Sequence, residues 1–220
     1  MPHDGEIGNP QAIPETEKAW LAGVIEGDGS LGMGFQLQNG YGKSRIFGNP
    51  ANYDEFEKSK NGKGYQRFAV KPSIQFSNQD GLLIESVCNL FIRICKKQPL
   101  IRESKGQYEN SRSVLSVGLY GLQAVFDVLE AILPYLHGEK QARARLLFRF
   151  ISSRFARHKH LGRGNGASKV PYNSDELLII RQFYETGRRK GGKTNPEIGR
   201  VLTDYERAVA NLEEVEAMKI

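Results

Sequence analysis

The chain has 220 residues, of which 39% are hydrophobic, and a formal net charge of +6. This size and composition predict one globular domain, or one domain with an appendage. No stretch approaches the roughly 18 uninterrupted apolar residues that a membrane span requires, and the first residues lack the layout of a secretory signal, so we expect no membrane partner. The modest basic excess favours an anionic partner without establishing one.

Charge is unevenly distributed along the chain. Residues 1–30 hold six acidic residues and one lysine, whereas residues 137–207 hold sixteen Lys and Arg against seven Asp and Glu. An acidic first helix and a basic second half suit a polyanion bound near a carboxylate that holds a metal ion. A solvated helical surface explains the same pattern, and charge alone favours neither interpretation.

The first predicted elements are a helix and a strand. Residues 1–13 are expected to form a flexible tail with scattered glycine and proline. A helix is predicted to begin near Pro14, because proline suits the first helical position, and to end at the Gly-Asp-Gly of residues 27–29. Apolar and polar residues then alternate over 30–38, which predicts a strand with one buried face.

A second strand and several further elements follow. Residues 39–64 are polar and are interpreted as a long hairpin loop whose role stays open. Alternation resumes over 66–77, where Pro72 favours a sheet edge or a bulge. The later predicted elements are a helix over 79–97, strands over 100–104 and 112–119, helices over 122–136 and 140–155, and two C-terminal helices over 174–186 and 196–218. The order is thus helix, hairpin, helix, hairpin, helix, with C-terminal helices added.

The most informative segment is WLAGVIEGDGS, which ends the first helix. Ala19, Gly23 and Gly27 recur every fourth residue, so they form a stripe with almost no side chain along the helix. Each interior glycine costs about 1 kcal/mol relative to alanine, which favours a compensating close approach of a second backbone. Glu26 and Asp28 lie where the stripe ends. If two such helices pair, two symmetry-related carboxylates meet there and suit a hard cation such as Mg²⁺. The alternative is a helix end that contains glycines by chance.

This segment resembles the LAGLIDADG motif of homing endonucleases. The residues at the defining positions of the motif are Leu21, Ala22, Gly23, Ile25, Gly27, Asp28 and Gly29. The order αββαββα over about residues 15–155 also matches the half-barrel of that family. The resemblance implies an α+β fold class, namely the LAGLIDADG homing-endonuclease fold with a curved antiparallel sheet, extended by C-terminal helices.

The resemblance implies the following division of the chain. The segments are a tail over 1–13, an endonuclease core over 14–156, a linker over 157–173, and a helical extension over 174–220 that contains a basic loop over 187–195.

The family also implies a catalytic centre. Asp28 falls on the carboxylate that binds the catalytic metal, and the Gly27 carbonyl is a further ligand. Residues 133–147 are similar to the family's P-(F/Y)-L … K-x-x-x-A-x-L-L segment, which places Lys140 on the lysine that acts on the hydrolytic water and the scissile phosphate. A shift of one residue would exchange Lys140 with Glu139, although only lysine suits the chemistry.

A polar residue at the end of the second strand helps to order solvent near the metal in this family. Asn78 or Gln79 holds that place, and the sequence leaves the choice between them open.

A single motif supplies half of an active site, so the resemblance implies a homodimer whose helices pair through Ala19, Gly23 and Gly27. Strand residues would then lie in the major groove of double-stranded DNA, where Arg and Gln suit guanine and adenine edges. The expected contacts from the strands are Gln36, Gln38, Arg67, Lys71, Ser73, Gln75, Arg102, Ser104, Arg112 and Ser116. The expected phosphate contacts from the basic loop are Arg188, Arg189, Lys190, Lys193 and Thr194.

The function implied by the resemblance is a Mg²⁺-dependent, site-specific homing endonuclease that makes a double-strand break in a long pseudo-palindromic target. Ca²⁺ is expected to substitute without cleavage, with Mn²⁺ as a further option. The expected location is intracellular, in a chloroplast, a mitochondrion or a prokaryotic cytoplasm. Two alternatives stay open on the same fold: an intron RNA-splicing maturase and a non-catalytic DNA-binding regulator.

Overall fold

The structure is a computed structural model that describes residues 13–38, 44–45, 67–104, 113–158, 172–186 and 203. Its elements are α1 (Glu15–Gly27), β1 (Gly29–Gln38), β2 (Ser44–Arg45), β3 (Arg67–Asn78), α2 (Gly81–Cys95), β4 (Leu100–Ser104), β5 (Val114–Tyr120), α3 (Leu122–Ile132), a 3₁₀ turn (Leu133–Tyr135), α4 (Gly138–His158) and α5 (Ser174–Thr186). The predicted loop over 187–195 lies outside the described residues, as does the predicted helix over 196–218 apart from Thr203.

The five strands form one antiparallel sheet in the order β2-β1-β3-β5-β4. β1 pairs with β3 from Gly29 opposite Phe76 to Gln38 opposite Arg67. β3 then pairs with β5, which joins the two predicted hairpins side by side. The predicted αββαββα order and the α+β class are therefore confirmed, with one addition: the two-residue strand β2 lies within the loop predicted over 39–64.

One face of the sheet is buried beneath the helices, as period-two alternation predicts. The buried strand residues on this face are Leu31, Met33, Val70, Ile74, Phe76, Val117 and Leu119. Residues of the opposite parity form a second face, which we call the open face. Ser30, Lys71 and Gln75 are exposed there, so this surface is accessible to a large partner.

Pro72 lies just outside the part of β3 that pairs with β5. That pairing runs from Ser73, opposite Tyr120, to Asn78. A proline has no N–H to donate to a neighbouring strand, so it suits this position. The predicted edge character of Pro72 thus has a local cause: β3 is an interior strand over one part of its length and an edge strand over the other.

The C-terminal helix α5 packs into the same hydrophobic core as the sheet. Its residues Leu177, Ile180 and Phe183 are at most 1% exposed, and Tyr172 just before the helix is also buried. The extension is therefore integrated with the αββαββα unit. Within the described residues, no helix is long and apolar enough to cross a membrane.

Candidate active site and nucleic-acid interface

Helix α1 ends in a tight turn that presents Asp28. The Asp28 N–H still donates to the Val24 carbonyl at 3.1 Å, and the chain then turns directly into β1. A Cβ atom on Gly29 would lie 2.6 Å from the Cα of Ile25, so only glycine fits this close approach. The turn leaves the Asp28 side chain exposed.

Asn78 lies beside the Asp28 carboxylate. Its Nδ2 atom donates to Oδ2 of Asp28 at 3.5 Å, while its Oδ1 atom accepts from the backbone N–H of Asp80 at 2.9 Å. The second bond holds the amide in one orientation. Gln79 is exposed in the turn that follows. Of the two candidates at the end of the second strand, Asn78 is the one that the structure brings to Asp28.

Lys140 lies against the same turn, on the first part of α4. Its ammonium donates to the carbonyls of Ile25, at 2.8 Å, and of Gly29. These acceptors flank Asp28 in the sequence, so the lysine bridges the end of α1 and the start of β1. An ammonium group has three donors, and these two bonds use two of them. Glu139, the alternative from the shifted alignment, is exposed.

The electrostatic surroundings of Lys140 are mixed. Burial lowers the pKa of its ammonium, the nearby Arg143 lowers the pKa further, and the carboxylates of Glu26 and Asp28 raise it. Glu26 itself faces His137, with 3.5 Å between Oε2 and Nδ1. Asp28 is therefore the carboxylate of this segment that is available at the end of the helix.

The donors at this turn are of the kind that Mg²⁺ prefers. The Asp28 carboxylate and the Gly27 carbonyl are hard oxygen donors, which Mg²⁺ prefers, and both residues are exposed. No cluster of three His, Cys, Asp or Glu side chains that could hold a metal occurs in the described part of the chain. At this turn the described part of the chain thus offers one carboxylate and one backbone carbonyl.

The small-residue stripe of α1 faces outward. A Cβ atom on Gly23 or on Gly27 would meet no other atom within 4 Å, so this surface packs against no described part of its own chain. Ala19 is half-buried and marks the border of the stripe. Trp20 is 41% exposed beside it. The sequence interpretation missed Trp20, although its spacing of three and seven residues from the two glycines places it on the same face.

Exposed polar side chains populate the open face. Lys71 and Gln75 of β3 are exposed, as are Arg102 and Ser104 of β4. Ser116 of β5 is half-buried, and its hydroxyl lies 2.8 Å from that of Ser77. These residues lie on strands paired in register. They therefore form one continuous surface with cationic and amide groups.

Comparison with solved structures decides the fold. The archaeal intron-encoded homing endonuclease I-Vdi141I, solved in complex with DNA, is 11% identical, with a TM-score of 0.51 over 88% of this chain and 96% of that protein. The chain has the LAGLIDADG homing-endonuclease fold.

Other solved homing endonucleases with some similarity are I-CvuI, at 14% identity and a TM-score of 0.49 over 87% of this chain and 95% of that one, and I-TnaI, at 12% identity and 0.49 over 89% and 99%. No protein-family model and no curated protein sequence matches the chain. At 11% identity, the similarity to I-Vdi141I establishes the fold alone.

One predicted contact on the sheet of this LAGLIDADG fold needs correction. Ser73 has the parity of the open face but is only 5% exposed. Its hydroxyl accepts from the Gln75 amide at 3.4 Å, and a Cβ atom on the opposite Gly32 would lie 2.5 Å from it. The serine leans into the space that the glycine leaves, and we therefore remove it from the expected DNA contacts.

Several predicted contacts have side chains outside the described part of the structure. Gln36, Gln38 and Arg67 belong to the paired strands β1 and β3, but only their backbone is described. The residues of which nothing is described are Arg112, Arg188, Arg189, Lys190, Lys193 and Thr194. All nine therefore stay predictions from the sequence.

Tyr120 is a residue of the open face that the sequence interpretation missed. A Cβ atom on Gly118 would lie 2.7 Å from Cε2 and from the hydroxyl oxygen of Tyr120, so the tyrosine side chain occupies the space over the glycine. The alternation of Ser116, Gly118 and Tyr120 along β5 is the signal that places the tyrosine on this face. An aromatic side chain thus covers the middle of the LAGLIDADG sheet.

Proposed function

We propose that this protein is a site-specific homing endonuclease that cuts both strands of a long, pseudo-palindromic DNA target as a homodimer, by Mg²⁺-dependent phosphodiester hydrolysis. The observation that carries the proposal is the convergence of Lys140 and Asn78 on the turn that presents Asp28. That turn lies at the end of a helix whose small-residue stripe is not covered by any described part of the chain. A structural turn would need neither the exposed carboxylate nor the open stripe.

The residues of the turn have distinct roles in this proposal. Asp28 and the Gly27 carbonyl hold the cation together with their counterparts from the second chain. Bound there, Mg²⁺ would supply stabilisation of the charge on the scissile phosphate and would lower the pKa of a coordinated water. Lys140 directs its remaining donor toward the phosphate, and Asn78 orients the Asp28 carboxylate and nearby solvent.

The homodimer is proposed to form through α1, with Gly23 and Gly27 allowing the two backbones to approach and Trp20 packing at the border of the contact. Two-fold symmetry then places two open faces on neighbouring turns of the major groove, which requires a target with two related half-sites.

Replacing Gly23 with leucine is expected to convert the dimer to a monomer. The side chain projects into the space that the second helix needs, and it meets nothing in the described part of its own chain, so we expect the monomer to fold as before. Light scattering and circular dichroism measure the two properties. Leu178→Ala, at an exposed position of α5, is the control, and a dimer that persists in the Gly23 variant would contradict the proposed interface.

Replacing Lys71 with alanine is expected to weaken DNA binding by roughly 1–3 kcal/mol if the lysine contacts a base. If it contacts a phosphate, the slope of log affinity against log salt concentration is expected to fall by about one. Arg145→Ala removes one charge from an exposed position on α4, away from the strands of the open face. Binding is measured in Ca²⁺ at several salt concentrations. Equal effects of the two variants would argue for general charge rather than a contact on the open face.

The function itself is tested by incubating the purified protein and Mg²⁺ with a library of randomised two-fold symmetric DNA duplexes and sequencing the cut products. Recovery of one long consensus with breaks in both strands supports the endonuclease. Binding to DNA without cleavage would favour the regulator, and binding to structured intron RNA without DNA cleavage would favour the maturase.

A further inference from the structure

One edge of β1 has no strand beside it over most of its length in the described structure. β3 pairs with β1 on one side throughout, whereas β2 on the other side reaches only Leu37 and Gln38. Backbone carbonyls that point to an unpaired and partly buried edge need donors from elsewhere. This edge belongs to the strand that begins directly after Asp28.

Side chains from two helices provide those donors. The Lys140 ammonium donates to the Gly29 carbonyl, Nη2 of Arg143 donates to the Leu31 carbonyl at 3.0 Å, and the Tyr184 hydroxyl donates to the Met33 carbonyl. The acceptors are every second residue of β1, which is the spacing with which a neighbouring strand would bond to one edge. We call Lys140, Arg143 and Tyr184 the edge donors.

The C-terminal helix α5 holds two of the edge donors in place. It carries Tyr184 itself, and the ring of Phe183 lies under the Arg143 guanidinium, with 4.3 Å from the Arg143 Cζ atom to the ring centroid. Phe183 is 1% exposed, so it is a fixed support. Burial raises the pKa of Tyr184, which keeps the hydroxyl protonated and able to donate.

The same extension also bonds to the opposite edge of the β1–β3 pair. The Val70 N–H of β3 donates to the Tyr172 hydroxyl at 2.8 Å, in the part of β3 that β5 does not reach. The residues from Tyr172 to Tyr184 thus span the buried side of this strand pair and bond to both of its edges.

We infer that Arg143 and Tyr184 are positioning residues for the active site. Through them, helix α5 replaces a missing strand along β1 and holds the Asp28 turn and the following strand in register with Lys140. The catalytic part of this inference rests on the proposed function, whereas the support of the β1 edge does not.

The test compares Tyr184→Phe and Arg143→Met with the unaltered chain and with Glu185→Gln, an exposed neighbour on α5. Hydrogen exchange is measured by mass spectrometry for peptides that cover β1, and separately for peptides that cover β4 and β5. Loss of one hydrogen bond is expected to accelerate exchange in β1 by roughly threefold to tenfold, without a change in β4 and β5. Glu185→Gln should change neither region.

The second measurement is the single-turnover cleavage rate, set against DNA affinity in Ca²⁺. Both variants are expected to cleave roughly threefold to tenfold more slowly at nearly unchanged affinity, and Arg143→Lys should recover part of the rate that Arg143→Met loses. Lys140 is present in all of them. Arg143→Met also removes a charge that lowers the pKa of Lys140, an effect that Tyr184→Phe does not have.

Three outcomes would overturn the inference. Exchange in β1 that stays at the unaltered level would remove the edge support, and exchange that rises equally in all strands would reduce it to general stability. A lower melting temperature with an unchanged cleavage rate would leave Arg143 and Tyr184 purely structural. If the unaltered protein cuts no DNA, the proposed function fails, and the exchange pattern alone decides whether α5 supports the β1 edge.

Discussion

Asp28→Asn is expected to abolish double-strand cleavage and to leave DNA binding intact. The substitution preserves the size of the side chain at an exposed position, so the turn between α1 and β1 keeps its geometry. It removes the negative charge that the cation requires. A loss of several kcal/mol in stabilisation of the transition state lowers the cleavage rate by a factor of at least about 1,000.

The matched control for this prediction is Glu26→Gln. Glu26 lies two residues earlier and carries the same charge, but its carboxylate faces His137. This variant is expected to retain most of the cleavage activity. The two rates are measured under single-turnover conditions in Mg²⁺, with affinity measured in Ca²⁺. Cleavage that survives in the Asp28 variant, or that is lost equally in both variants, would contradict the assignment of the metal ligand.

Glu176→Ala is expected to lower the free energy of unfolding by about 3–5 kcal/mol, because it removes a buried carboxylate that forms an ion pair with the buried Arg154. Glu176 is 0% exposed, and Arg154, its partner at 3.0 Å, is 2% exposed. Arg157 donates to the same carboxylate at 2.7 Å, and Ser153 donates to its other oxygen at 3.0 Å. Urea denaturation followed by circular dichroism measures the change.

Glu176 also takes part in the start of helix α5, which adds to the expected loss. Its N–H donates to Oδ1 of Asn173, and its carboxylate accepts from the Asn173 N–H, which is a reciprocal capping arrangement. Glu176→Gln keeps one of the two acceptor oxygens and loses the charge, so we expect a smaller effect of about 1–3 kcal/mol. Glu185→Ala on the exposed side of α5 is the control. Equal stability of the Glu176 and Glu185 variants would refute the importance of the buried network.

The order of elements and the position of the Asp28 turn could be predicted from the sequence because both depend on local patterns. Alternation over 30–38 and 66–77 predicted strands that the structure contains as Gly29–Gln38 and Arg67–Asn78. The Gly-Asp-Gly stop correctly placed the end of α1, because the close approach of Gly29 to Ile25 is a property of neighbouring residues.

Other features depend on contacts between distant residues and could not be predicted in the same way. The alternation put Ser73 on the open face, but its burial depends on Gly32 in the facing strand. Lys140 was expected near the active site from the resemblance, whereas its bonds to the Ile25 and Gly29 carbonyls follow from the way α4 crosses the end of α1. Tyr184 carries no motif, and its role follows from a bond across 151 positions of the chain.

The sequence by itself determined the αββαββα order, the small-residue stripe of α1 and the position of Asp28 at the end of that helix. Periodicity and a short motif report on neighbours along the chain. Only the tertiary structure decided that Asn78 rather than Gln79 meets Asp28, and that helix α5 bonds to both edges of the β1–β3 pair. The physical reason is that a polar side chain bonds to whichever unpaired donor or acceptor packing brings close to it. Packing joins residues that are far apart in the sequence, and no local pattern indicates which ones will meet.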